Sequence, residues 1–294
     1  MANGIIGIDH AVVGARDLED TRMIFQRLGF SVTPQGRQLG AGVAHYRVMF
    51  DHDYIELVGI TDASAPTGEL GALLDKQGEG ALAVVLECRN VRQSCQELAS
   101  HGISPLAIQH VLTEIEAPEG ALEHRYDMVE IPADAAPETR IALCQHITPE
   151  VLRQPAWLSH ANGARRLNFI AVVVSDPESL IARCDRLFGV GSTTMTDNTL
   201  AVYTGHGALL FITPDHASVM YPGVADAARP APYIAALGIE VGDVGKVSRV
   251  LEEAQVPFSR LIDHCVQVAP AVANGVIIEF HSRPEAGGGT TYFR

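Results

Sequence analysis

One pattern is written four times along the chain, and it restricts the fold more than any other feature of the sequence. In each copy an apolar, strand-like run ends at a residue able to cap a helix. About three turns of amphipathic helix follow, and three short β-rich runs close the unit. In the first copy the opening run at residues 5–15 leads to Asp17 as the N-cap, a helix carrying Leu18, Phe25 and Leu28, and a stop at Gly29. The second opens at 81–88, caps at Asn90 and stops at Gly102; the third opens at 167–174 and enters its helix through Asp176-Pro177, where proline suits the first helical position. The fourth opens at 233–241 and caps at Asp243. Strand-like runs follow each helix, at 31–34, 44–51 and 54–60, then 106–116, 124–131 and 140–146, then 192–196, 200–204 and 208–213, and last 258–262, 265–268 and 276–281. The order is βαβββ, four times. The chain therefore reads as an α+β protein of two lobes: residues 1–148 hold two modules, 149–164 form a Pro/Asn/Gly-containing linker, and 165–294 hold two more. The pattern does not settle whether the first module pairs with the second or with the last.

Composition restricts the partners. A hydrophobic share of 47% with 19% charged residues supports a sizeable core. With 21 Lys and Arg against 35 Asp and Glu, the formal charge is −14. Nucleic acid and anionic membrane surfaces are thereby disfavoured, since both are recognised by clustered basic residues. No apolar run approaches the ~18–20 residues of a spanning helix. The first ten residues read as no signal peptide, so the expected address is cytoplasmic and the expected partner a small molecule. Five dispersed cysteines without a CxxC (Cys88, Cys95, Cys144, Cys184, Cys265) read as reduced core thiols without chemistry. There is no GxGxxG after a strand, GxxxxGK[ST], GxSxG or HExxH, which counts against nucleotide, α/β-hydrolase and zincin chemistry.

Superposing the modules on their caps exposes the chemical candidates. Seven residues before the cap stand His10, Ala83, Phe169 and Ala236, so only the first module is polar there. On the last strand of each module stand Glu56, Ala142, Phe211 and Glu279. A buried carboxylate is expensive, so Glu56 and Glu279 each require a cation, an arginine or a pKa raised enough to neutralise them. Imidazole and carboxylate together are ligand chemistry for Zn, Fe, Ni or Mn. His45 can face the same side as His10, His281 shares strand parity with Glu279, and Glu240 shares it with Ala236. Arg37 and Arg47 could clamp an anionic substrate. Trp157, His160 and Asn162 form the one aromatic and polar cluster outside the strands, readable either as a wall of a binding site or as a tight turn.

The fourfold order, Asp9-His10-Ala11-Val12-Val13 followed by Arg16-Asp17-Leu18, the Leu28-Gly29-Phe30 turn and the Tyr54-Ile55-Glu56-Leu57 strand resemble the vicinal-oxygen-chelate superfamily. That superfamily includes glyoxalase I, extradiol dioxygenases and antibiotic-resistance proteins. Thr33-Pro34, Gly36-Arg37, Gly42-Val43-Ala44-His45 and His160-Ala161-Asn162-Gly163-Ala164 resemble its glyoxalase-like branch more narrowly. The resemblance implies paired modules curled into cup-shaped mixed sheets with helices outside. It also implies a divalent metal ion (Fe, Zn, Mn or Ni) held by His10 and Glu56, joined by Glu279 if the first and last modules share a cup. Glu56 or Glu279 would then be the catalytic base, with His45, Arg37, His160, Asn162, Trp157 and His281 around the substrate. The expected function is a metal-dependent enzyme of lyase, isomerase or dioxygenase type acting on a small oxygen-rich molecule, with homodimerisation compatible. The alternative is a non-catalytic protein that sequesters a small molecule, in the manner of bleomycin-resistance proteins.

Overall fold

The structure, a computed structural model, describes residues 2–117, 120–222, 229–262 and 264–282. Module one comprises β1 (Ile5–Ala15), α1 (Leu18–Arg27), β2 (Gly36–Gln38), β3 (Val43–Met49) and β4 (Tyr54–Ile60). After α2 (Leu70–Gln77), module two runs through β5 (Gly80–Cys88), α3 (Val91–Ser100), β6 (Gln109–Ala117), β7 (Gly120–Glu130) and β8 (Ile141–His146). Module three holds β9 (Ala164–Val173), α4 (Ile181–Phe188), β10 (Thr193–Thr196), β11 (Thr199–Tyr203) and β12 (Ala208–Ile212). Then come α5 (Pro214–Met220) and module four, with β13 (Tyr233–Val241), α6 (Val244–Glu253), β14 (Ser259–Ile262), β15 (Cys265–Val268) and β16 (Ile277–His281). The expected caps form: the side chains of Asp17, Asn90 and Asp243 accept from the backbone N–H of Asp20, Gln93 and Gly245. The connecting helices α2 and α5 were not foreseen.

Modules pair in chain order. β1 lies antiparallel to β5, and the short β2–β6 seam closes the first two modules into a barrel ordered β1-β4-β3-β2-β6-β7-β8-β5. β9 likewise lies antiparallel to β13, giving a second eight-stranded sheet ordered β10-β11-β12-β9-β13-β16-β15-β14. The arrangement with the first and last modules sharing one cup is therefore not adopted. Each module's first strand has one edge taken by its own last strand, and the other edge goes to its sequence neighbour.

The outer faces of both sheets and helices α1, α3, α4 and α6 bury one continuous core, including Phe25, Leu98, Leu187 and Leu251. Phe30 of module one stacks on Phe280 of module four at 5.6 Å. The lobes also meet at Gly275, whose φ is +76° and whose added Cβ would lie 2.3 Å from the Glu79 carbonyl. Gly275→Ala should therefore cost more than about 1 kcal/mol, since alanine meets both the left-handed backbone and the clash. An unchanged melting temperature would show that the lobes give way at this contact.

The inner faces differ. In the second lobe α5 and the residue after it plug the concavity, with Ala217, Met220 and Tyr221 against Phe169, Leu210, Ala236 and Ile277. In the first, two small apolar clusters around Met49 and Val85 leave a band of polar side chains between them.

Candidate functional site

The polar band begins with a register slip. β1 shifts against β5 between Ile8 and His10, leaving Asp9 as the extra residue. A bulge of this kind re-aims side chains. Both Asp9 and His10 consequently reach the barrel interior, although strict alternation would allow only one.

From there a continuous chain of contacts crosses the barrel. His10 Nδ1 lies 2.5 Å from Asp9 Oδ1, and His146 Nε2 lies 2.7 Å from Asp9 Oδ2. His146 Nδ1 meets His124 Nε2 at 3.0 Å. On the other side, His10 Nε2 faces Glu56 Oε2 at 3.7 Å, and Glu56 Oε1 accepts from Arg47 Nε at 3.2 Å with Nη2 at 3.1 Å. The His10 ring is stacked on Tyr54 at 4.3 Å, and the Arg47 guanidinium lies over the same Tyr54 ring.

Electrostatics assigns the protons. Burial alone would raise the Asp9 pKa, but the charge of His146 and the hydrogen bonds from His10 and His146 drive it far below the usual carboxylate range. An ionised Asp9 only accepts, so His10 Nδ1–H and His146 Nε2–H donate to it. In neutral His10 the lone pair is then on Nε2, aimed at Glu56. Burial and Arg47 push His45 down to about 3, and burial and Arg47 push His124 down to about 2, so both stay neutral. Glu56 remains a carboxylate: burial raises its pKa, but the charge and hydrogen bond of Arg47 bring it below the ordinary value. Among the described residues, Arg47 Nη1 and His45 Nε2 find no hydrogen-bond partner although both are buried.

The remaining sequence candidates disperse. Glu279 lies in the other lobe under α5, so the set of His10, Glu56 and Glu279 does not assemble. Gln267 Nε2 donates both to Glu279 Oε2 at 2.9 Å and to the Met220 carbonyl at 3.1 Å, and burial raises the Glu279 pKa. The two buried glutamates thus resolve the same problem differently, one by an arginine and one by a raised pKa. His281 stacks on Phe169 beside Glu279. Glu240 pairs with Arg166. Arg37 is exposed and pairs with Glu114 across the β2–β6 seam. In the linker, His160 accepts from Ser31 N–H and donates to the Met49 carbonyl, while Asn162 bonds the Leu28 carbonyl and the Ala164 N–H. Both residues are committed to holding backbone. Trp157 instead packs with Leu152 against Met49 and Tyr54, over the end of the barrel.

The sequence reading passed over Asp9, His146, Cys144 and His124. Cys144 and His146 share strand parity with Ala142, the position compared with Glu56, so extending that comparison by two and four residues would have found them. Asp9 was hidden by the alternation that the slip breaks.

The sequence matches the family described as glyoxalase-like domain over residues 8–188. The chain belongs to this family. Solved structures carry the same architecture. A hypothetical protein from Staphylococcus aureus superposes with a TM-score of 0.68 at 10% identity, over 94% of this chain and 99% of that one. A mutant of 4-hydroxymandelate synthase from Streptomyces coelicolor gives 0.64 at 12% identity, over 98% and 95%. A fusion of a xylose isomerase-like TIM barrel with 4-hydroxyphenylpyruvate dioxygenase gives 0.63 at 13% identity, over 99% of this chain and 51% of that one. At these identities the likeness is one of fold, the vicinal-oxygen-chelate fold. No curated protein matches the sequence.

The resemblance implies a metal at His10 and Glu56 of this glyoxalase-like chain. His10 and Glu56 offer two donors, their counterparts in module two are Ala83 and Ala142, and the buried Arg47 cation already neutralises Glu56. That position does not fit a resident dication. Asp9, Cys144 and His146 do offer a fitting donor set: one ligand atom from each lies within 4.8 Å of the others.

Proposed function

We propose that this protein is a divalent-metal-dependent enzyme, of lyase, isomerase or dioxygenase type, that acts on a small oxygen-rich molecule inside the first barrel. The observation that supports this reading is the buried chain His124–His146–Asp9–His10–Glu56–Arg47, in a barrel whose sister lobe is packed shut. A bound ion supplies polarisation of the substrate's oxygens. The chain's own residues do the rest. Arg47 Nη1, buried and without a partner, offers its N–H groups to a substrate oxygen. His10 Nε2 accepts a proton from the substrate, held in place by Asp9 on its other nitrogen and by the Tyr54 ring beneath it. Leu152 and Trp157 keep bulk water from the end of the barrel.

The test incubates metal-loaded protein with small vicinal-dioxygen compounds (catechols, 2-hydroxy ketones, 2-oxo acids) and follows their consumption by NMR. Consumption should stop after chelator dialysis, and His10→Ala should slow it by about 10²–10⁴-fold, the usual worth of a positioned base. Trp157 is the sole tryptophan, so its fluorescence reports occupancy separately. Quenching by a compound that is never consumed, with or without metal, would replace the enzyme by the sequestering protein.

A further inference from the structure

We infer that the metal centre of this chain lies on Asp9, Cys144 and His146, and not on the His10–Glu56 pair to which the resemblance points. The inference rests on the metal dependence proposed above and gives it a place and a chemistry. Asp9 comes from β1 and the other two from β8, the strands that flank β5 in the barrel.

Three observations converge. First, the donors are complete and mixed. Carboxylate, thiol and imidazole atoms lie within 4.8 Å of one another, with His146 Nε2 at 2.7 Å from Asp9 Oδ2 and 3.9 Å from Cys144 Sγ. Bonds of about 2.0–2.3 Å from one ion to each donor would require Asp9 Oδ2 and His146 Nε2 to move apart from their 2.7 Å contact and Cys144 Sγ to draw in. Second, the supports that ligands require are already present. A bound ion would take the place of the proton that His146 Nε2 donates to Asp9, and a metal-bound histidine characteristically donates from its other ring nitrogen; here the acceptor is His124 Nε2, at 3.0 Å from His146 Nδ1, and Thr113 Oγ1 lies 3.4 Å from His124 Nδ1. Asp9 keeps its second oxygen on His10, so the same carboxylate that would bind the ion also orients the imidazole facing the substrate. Third, charge favours this location over the other. A dication beside Glu56 would share a buried space with the Arg47 guanidinium. At the Asp9 group the ligand set itself supplies negative charge, the Asp9 carboxylate.

The donor types also select the ion. A thiolate with an imidazole and one carboxylate suits Zn(II), Fe(II) or copper and is a poor cage for Mg(II) or Ca(II), which take all-oxygen sites. Three protein donors leave coordination positions open, as catalytic sites require.

Cobalt(II) tests this directly, because a thiolate ligand gives an intense charge-transfer absorption that oxygen and nitrogen ligands do not. Chelator-treated full-length protein titrated with Co(II) should develop that absorption, and Cys144→Ser should lose it and bind zinc more than about 100-fold more weakly. His124→Gln should weaken zinc by about 10–100-fold, as expected for a supporting partner, and Glu56→Gln should retain both the absorption and the affinity. If Cys144→Ser fails to fold by circular dichroism, the wild-type spectrum still decides. Among the described residues, Cys144 is the one cysteine grouped with an imidazole and a carboxylate at ligand distance. Cobalt bound without the thiolate absorption, or lost in Glu56→Gln and kept in Cys144→Ser, overturns the inference while leaving metal dependence intact. Failure of the protein to bind any of Co(II), Zn(II) or Fe(II) overturns both.

Discussion

Replacing Arg47 by methionine should cost about 3–5 kcal/mol of folding free energy, the loss expected when one partner of a buried ion pair is removed. Arg47 is 1% exposed, and its guanidinium neutralises Glu56 from the neighbouring strand. Methionine fills much of the same volume but leaves Glu56 as a buried carboxylate deprived of the guanidinium that neutralised it. The double variant Arg47→Met with Glu56→Gln should recover most of the loss, because it leaves no charge behind. Denaturant titrations at two pH values give an independent check. In the wild type the Glu56 pKa is held below 4.5, so the pair stabilises above that pH and its contribution fades as pH falls. Without Arg47 the carboxyl protonates more readily, and the gap between variant and wild type should narrow between pH 7 and pH 4. A single variant within 1 kcal/mol of wild type would show that Glu56 reaches water without its arginine.

Asp53→Asn should stabilise the protein at pH 8 and do almost nothing at pH 4. Asp53 is buried between the lobes, where Oδ1 accepts from the Leu167 N–H at 2.7 Å. Burial raises its pKa from 3.8 to about 7, against the opposing pull of Leu167, Arg153 and Arg166. The folded-state pKa lies above the unfolded one. Stability from this group is therefore full below 3.8 and is lost as pH rises to about 7, by up to about 4 kcal/mol. Asparagine keeps an oxygen for Leu167 and never ionises, so the difference should open across that window and level off above it. Equal stability of the two proteins at pH 8 would mean that Arg153 and Arg166 hold Asp53 as a carboxylate after all.

Much of this architecture was legible in one dimension because repetition and capping are local. Asp17, Asn90 and Asp243 each announce a helix within a few residues of themselves, and the apolar runs before them can only be strands that bury one or both faces. The demand that Glu56 find a cation or a shifted pKa was equally local, since it follows from a carboxylate among apolar neighbours. The identity of that cation was not. Arg47 sits nine positions away, on a strand whose register against β4 decides whether the two side chains meet. His160 and Asn162 showed the opposite failure: their types suggested a binding wall, but the fold spends all their hydrogen bonds on backbone.

The sequence by itself determined the four βαβββ modules, the restriction of polar residues to a few inward positions, and the need to neutralise Glu56 and Glu279, because each depends on short-range patterns of polarity. Tertiary structure alone decided which modules share a barrel, and therefore that Glu279 is shut beneath α5 and cannot join His10. It also decided that Asp9, through a one-residue slip of β1 against β5, meets His146 and Cys144, more than 130 residues away. Strand register is a property of two chains in contact, and a shift of one residue moves a side chain from one face of the sheet to the other.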